Sequence, residues 1–341
     1  MKKYILVFIL CIMAIIYSSC SDDILTPALN TNRVSYDSNT GSGVIDGISE
    51  VEGFPVTAAS GASLTKAGYT FLCWNTAADG SGEGYGAGLS FLMPSEDTIL
   101  YAQWIEDIYI QEDLYTGAAF NHKDETNAIR YTNTITDFQL GRYEVTYELW
   151  YAVYKYAIAN GYSFANAGTE GTTGTAGDLP ETDSKVVTTV NWRDTIAWCN
   201  AYSEVRGLTP VYENAAGSPI KDSRDSNSIE CDNVIYNTAN DGYSLPTSGE
   251  WQFAASEAND GLNASLAPSD PNSFNTANLA GNVWEWCFDW FGSYPAGGQI
   301  DYYNPGPSSS HIIRNGENIG HREWGNPDQT ENYIGFRIKR R

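Results

Sequence analysis

The chain has 341 residues, with 42 acidic against 19 basic side chains and a formal charge of −23. Neutralising phosphates takes a basic surface, so nucleic-acid binding is excluded. The length favours two or three domains, hydrophobic content of 42% supports a true core, and 13% aromatic residues with 32 glycines point to short strands and tight turns rather than long helical bundles.

Lys2 and Lys3 precede an apolar run over residues 4–17 and then Ser18-Ser19-Cys20. A positive region, a hydrophobic region and small residues before a cysteine read as an export signal, too short for a permanent membrane helix. The pattern resembles a bacterial lipobox, which would remove residues 1–19 and lipidate Cys20; a conventional secretory signal is the other reading. No later segment is apolar enough to span a bilayer, so the expected location is the outer surface of the bacterial cell envelope, with the lipid as sole anchor. Residues 20–32 are polar and read as a tether. Of the remaining cysteines, Cys73, Cys199, Cys231 and Cys287, an exported chain could pair any two. Their irregular spacing gives neither a disulfide framework nor a C-x-x-C metal site, so buried free thiols are expected.

Residues 33–105 form short alternating runs separated by Gly and Asp-Gly, the marks of a small β module. G-Y-T-F-x-x-W-N-T-A-A-D-G-S-G from Gly68 and L-Y-A-Q-W from Leu100 resemble one Listeria–Bacteroides repeat, a β-grasp-like unit. That resemblance implies a spacer or adhesion role without catalysis, with Trp74 and Trp104 in the core.

A second pattern occupies residues 106–341. Thr146 is placed to cap a helix carrying Leu149, Val153, Tyr156 and Ala157 on one face. Val186-Val-Thr-Thr-Val190 runs as a short strand into a helix capped by Asn191, with Trp192, Ile196 and Cys199 inward. Thr247 and Glu250 form a capping box for a third helix. The stretch N-L-A-G-N-V-W-E-W-C-F-D-W, residues 278–290, alternates with period two: Trp284, Trp286, Phe288 and Trp290 share one face, a strand at the centre of a core. The opposite face, with Glu285 and Asp289, is expected at the surface or at an ion.

These blocks, E-V-T-x-x-x-W, V-N-W-x-D-x-x-x-W-C, Y-S-L-P-T-x-x-E-W, N-L-A-G-N-V-W-E-W-C and the closing G-F-R at 335–337, resemble in kind and order those of the formylglycine-generating (sulfatase-modifying) enzyme family. The resemblance implies an α+β, C-type-lectin-like domain with two main helices, short sheets and long loops, preceded here by the small β-grasp-like module. It also implies a structural Ca²⁺ held by the Asn278 side chain, the Gly281 and Val283 carbonyls and the Glu285 carboxylate, hard oxygen donors suited to that ion. The alternative is that Asn278 and Glu285 serve buried backbone donors.

The family's oxidase chemistry relies on a pair of cysteines near the carboxyl terminus that hold copper(I) as thiolates. No cysteine follows Cys287, and the histidines His122, His311 and His321 are scattered, so neither a copper centre nor an iron-binding histidine triad can be written. In place of that chemistry, residues 311–333 are polar, rich in Asn and Gly, and too irregular for a helix or strand. This arrangement resembles the variable proteins of diversity-generating retroelements, of treponemal type, which display a variable segment closed by G-F-R on the same fold. The resemblance makes residues 289–333 a recognition segment, with Trp290, Arg314, Asn315, Glu317, Asn318, His321, Glu323, Trp324, Asn326, Asp328 and Asn332 as candidate contacts; an ordinary surface loop is the other reading. The resulting expectation is a monomeric lipoprotein binding a protein or glycan ligand at the cell surface. A residual formylglycine-generating-type oxidase is the alternative.

Overall fold

The computed structural model describes residues 31–182, 184–257, 276–279, 281–306, 308–315 and 318–341. The export signal, Cys20, most of the tether and Glu317 lie outside the described residues.

The first part is a twisted sheet in the order β2-β1-β7-β4-β5, from β1 (Thr31–Asp37), β2 (Ile48–Val51), β4 (Tyr69–Asn75), β5 (Gly84–Tyr85) and β7 (Thr98–Glu106). A two-stranded ribbon of β3 (Pro55–Thr57) and β6 (Ser90–Leu92) lies beside it. Alternation along β4 and β7 puts Trp74, Leu100 and Ala102 into a core with Val34, Leu64 and Met93. The same strands turn Leu72, Cys73 and Ile105 to the other side, where they join the main core of the following domain. The module is therefore docked, not strung out as a separate spacer. Gly84 makes the closest approach: an added Cβ there would stand 2.5 Å from Tyr156 Cα, and Asn160 Nδ2 donates to the Gly84 carbonyl at 3.2 Å. Only a residue without Cβ lets β5 lie against a helix backbone so closely.

The second part is built from small sheets around helices. The strands β8 (Glu112–Tyr115), β11 (Phe138–Gly141) and β21 (Lys339–Arg340) make one antiparallel sheet, so the chain end returns beside the domain's start. Another joins β9 (Ala119–Lys123), β10 (Ile129–Thr134) and β17 (Gly298–Ile300). Two-stranded ribbons of β12 (Thr169–Glu170) with β13 (Val187–Thr188), and of β14 (Tyr212–Glu213) with β15 (Ile235–Tyr236), tie down the loops. The helices α1 (Tyr147–Ala159) and α2 (Trp192–Val205) start where the caps predict: Thr146 Oγ1 accepts from Leu149 N, and Asn191 with Asp194 forms a reciprocal capping box. They pack through Trp150 and Trp198, stacked at 5.8 Å, and Phe336 of the G-F-R block meets both indoles edge-on. A short α3 (Ser228–Asp232) precedes α4 (Ser248–Glu257), whose Thr247–Glu250 box is formed in both directions.

At the centre is β16 (Trp284–Trp290), in a sheet ordered β19-β18-β16-β20 with β18 (His311–Arg314), β19 (Glu323–Gly325) and β20 (Ile334–Gly335). Trp286, Phe288 and Trp290 are buried on one face, as the alternation predicts, and Trp284 is half-buried. The opposite face corrects the expectation: Glu285, Cys287 and Asp289 are also buried, because α4 covers that side. Residues 311–333 need a correction too, since they contain two strands that extend this sheet. Gly325 permits the crossing, because a Cβ there would fall 2.4 Å from the Trp286 ring.

Candidate functional site

Arg337 fixes the position of everything at the carboxyl-terminal end. Its guanidinium is fully buried and all its donors are engaged. Nε and Nη2 donate to Glu285 at 2.8 and 2.7 Å, Nη1 to the Gly141 and Arg142 carbonyls, and Nη2 also to the Ala277 carbonyl. Trp251 Nε1 donates to the same Glu285 carboxylate at 2.9 Å. Glu144, from the E-V-T block, lies 3.9 Å from Arg337 Nη2 and accepts from the Asn278 and Asn282 amides at 3.1 and 3.0 Å. One cation thus serves two buried carboxylates. Burial, reinforced by the Glu285 charge, pushes the Glu144 carboxyl up to about 7.

This arrangement bears on the expected calcium loop. Both Glu285 oxygens already accept N–H donors, two of them from a guanidinium, and Asn278 turns its amide to Glu144. The Val283 carbonyl accepts from the Asn315 amide at 3.4 Å, and Gly281 is half-buried at the turn between. A divalent ion on Glu285 would sit against the Arg337 charge. The carboxylate of the expected calcium set, Asn278, Gly281, Val283 and Glu285, is thus already engaged by the Arg337 guanidinium.

The recognition candidates separate into support and surface. Arg314 is 1% exposed: Nε and Nη2 donate to Ser248 Oγ at 3.0 and 2.8 Å, and Nη1 donates to the Ile319 and His321 carbonyls at 3.0 and 2.9 Å. It holds the turn after β18 and cannot reach a ligand, so its expected contact is corrected to a supporting role. Trp290 is not displayed at the sheet edge either, but lines the cleft described below. It is 8% exposed and stacks on His311 at 3.7 Å, while His311 stacks on Trp192 at 3.6 Å. Asn315 is half-buried against the Val283 carbonyl.

The other candidates come together at the open edge of the sheet. Trp324 is 57% exposed in β19, the edge strand. His321 and Glu323 pair through Nε2 and Oε1 at 3.1 Å, half-exposed, with the imidazole against Trp284. Asn326, Asp328 and Asn332 are exposed along the following turn, where Asp328 N donates to Asn326 Oδ1 at 3.0 Å. Asn318 is exposed and anchored by its amide to the Glu125 carbonyl, and Asn332 by its own to the Thr172 carbonyl.

Residues that spacing did not single out complete this face. Arg193, buried in the first turn of α2, donates to the Asp232 carboxylate at 2.7 and 2.9 Å and also to the Asp328 carboxylate. It pins the recognition segment to the end of α3. Beyond it opens a cleft of about 270 Å³ lined by Phe288, Trp290, Tyr303, Asp232 and Asn233 among others. Only the V-N-W-R-D block hinted at Arg193; its partners lie 39 and 135 positions away, beyond any local pattern.

The thiols are free and buried at all four described cysteines, as expected. Burial pushes Cys73 and Cys231 up to about 12 and Cys287 well above the usual thiol range. Protonated thiols deep in a core are poor copper(I) ligands.

Comparison with known proteins agrees with the blocks in the sequence. Residues 33–103 match the Listeria–Bacteroides repeat domain. The solved structure of Treponema denticola variable protein 1 is similar with a TM-score of 0.52 at 25% identity, over 67% of this chain and 94% of that one. The chaperone protein LppX of Paenibacillus barcinonensis is 25% identical over 250 residues, 60% of this chain and 77% of that protein. The formylglycine-generating enzyme of Streptomyces coelicolor is 34% identical over 80 residues, so the chain spans only 26% of that enzyme. Residues 113–341 match the sulfatase-modifying factor enzyme 1-like domain along their whole extent, and with two thirds of its length in that match the chain belongs to this family.

Proposed function

We propose that the mature chain is a lipid-anchored envelope protein that binds a partner through the face carried by residues 318–333. The observation that carries this reading is Trp324, an indole 57% exposed on an edge strand whose supporting neighbours are buried. Leaving such a ring in water forgoes on the order of 2 kcal/mol of burial. Ringed by Glu323, Asn326, Asp328 and Asn332, it has the make-up of an aromatic anchor within a polar rim. The frame beneath is rigid, so little ordering would oppose association.

The oxidase alternative finds less support. Its chemistry needs thiolates near the carboxyl terminus, and the last cysteine, Cys287, lies inside β16 with a protonated thiol. The Treponema relative is named a variable protein and the Paenibacillus relative a chaperone, and neither name is that of an oxidase. Among the described residues no helix is long and apolar enough to cross a membrane, and the proposed anchor rests on the lipobox-like Ser18-Ser19-Cys20.

The test is an array of glycans and folded ectodomains probed with the purified chain and with Trp324→Ala. A ligand held by the parent and lost by the variant is expected. Ligands indifferent to Trp324, or turnover of a cysteine peptide by the copper-treated chain, would overturn the reading.

A further inference from the structure

We infer that the cleft beside the recognition segment is a subsite for a neutral sugar ring. This rests on the binding reading above and names a ligand class for one part of that face. At about 270 Å³ the cleft takes one ring with its substituents, not a helix or a folded loop. Its floor is Phe288 and Trp290, and its wall is Tyr303, whose ring meets Phe288 at 5.1 Å. The floor is set before a ligand arrives, because Trp290, His311 and Trp192 form one stack at 3.7 and 3.6 Å.

The rim decides the charge of the occupant. Asp232 is the one charged side chain among the described residues lining the cleft, and Arg193 already holds both its oxygens at 2.7 and 2.9 Å. A cation therefore gains little there, and an anion meets no positive group. What the rim offers is acceptors. The Asp232 carboxylate keeps lone pairs after its two bonds, and Asn233, whose amide donates to the Ile229 carbonyl at 2.7 Å, has its carbonyl oxygen to give.

An occupant must then combine a flat apolar face for the aromatic rings of Trp192, Phe288, Trp290 and Tyr303, several hydrogen-bond donors along its edge, and no net charge. A pyranose has these together: axial C–H groups on a face and a rim of hydroxyls. A tyrosine side chain has the face but a single donor, and phosphorylated ligands carry the wrong charge. Arg193 also holds Asp328, so a ring in the cleft would lie next to the recognition segment.

The experiment titrates the full mature chain with methyl glycosides of glucose, galactose, mannose and N-acetylglucosamine, read by saturation-transfer NMR and tryptophan fluorescence. At least one is expected to bind below about 50 mM, with saturation strongest on the C–H protons of one ring face, and Tyr303→Leu to weaken it about tenfold. Asn233→Ala, an exposed change, is expected to weaken binding without altering the circular dichroism spectrum. No glycoside binding, equal binding by Tyr303→Leu and Asn233→Ala, or preference for a neutral tyrosyl dipeptide over every glycoside would overturn the assignment. Failure here with the array ligand still dependent on Trp324 sinks the sugar subsite alone; loss of that dependence sinks the wider reading.

Discussion

Trp324 and Arg337 lie 13 positions apart and do opposite work. Trp324 is 57% exposed, so Trp324→Ala is expected to change stability by less than about 0.5 kcal/mol while abolishing ligand binding. Arg337 is the cation between Glu144 and Glu285, and Arg337→Met would leave two buried carboxylates uncompensated. Urea denaturation should register a loss of about 3–5 kcal/mol; a loss below about 1 kcal/mol would show that the guanidinium is not the hub. Glu144 gives this cluster a pH dependence. Its folded-state value, raised to about 7, exceeds that of an unfolded glutamate, so the folded chain holds the proton more tightly. That contribution is complete below about pH 4 and is lost as the pH rises through about 7. Asp289, raised to about 6 chiefly by burial, acts in the same sense. The buried histidines His122 and His311, both lowered by burial, act in the opposite sense over this interval, so the test is a difference: the stability of the parent relative to Glu144→Gln should rise on acidification from pH 8 to pH 5.5, and a difference that falls would contradict the buried, under-compensated carboxylate. None of this was legible locally. Polar residues such as Arg314 and His311 read as loop because their partners, Ser248 and the Trp192 ring, are 66 and 119 positions distant.

The elements were more readable where the signal is short-ranged. Thr146, Asn191 and Thr247 cap the helices predicted for them, since a cap and its bonded N–H lie within one turn. The aromatic face of β16 was equally clear. Its other face was misread because period-two alternation identifies a strand with one dry side, whereas α4 covers β16 on the second. The hairpin of β18 and β19 was missed for a related reason: its strands span four and three residues, too few to show alternation. Docking of the β module could not be read from composition at all, because the closest contact is through a glycine. Gly84→Ala is expected to push β5 from α1, where the Cβ would stand 2.5 Å from Tyr156 Cα, at a cost of about 1–3 kcal/mol. Calorimetry should then resolve the single transition into two; an unchanged single transition would mean that the contact yields without loss.

Over the whole molecule, the family's scaffold is retained, and no cysteine follows Cys287. The ordered blocks identified the fold because each supplies a core position: Trp150, Trp198, Trp251, Trp286 and Phe336 are all fully buried. The same blocks also carried a calcium expectation, and Arg337 already engages the Glu285 carboxylate of that set. Prolonged chelation should accordingly leave the melting temperature unchanged, and a drop of more than about 4 °C would restore the ion to the account. The central claim is that buried members of residues 289–333 hold the frame and exposed members meet a partner. Sequencing this gene through many siblings of one population tests it most directly. The account expects substitutions to gather at Asn318, His321, Glu323, Trp324, Asn326, Asp328 and Asn332 while Trp290, His311, Arg314 and Arg337 stay fixed. Substitutions spread evenly over buried and exposed positions would contradict it.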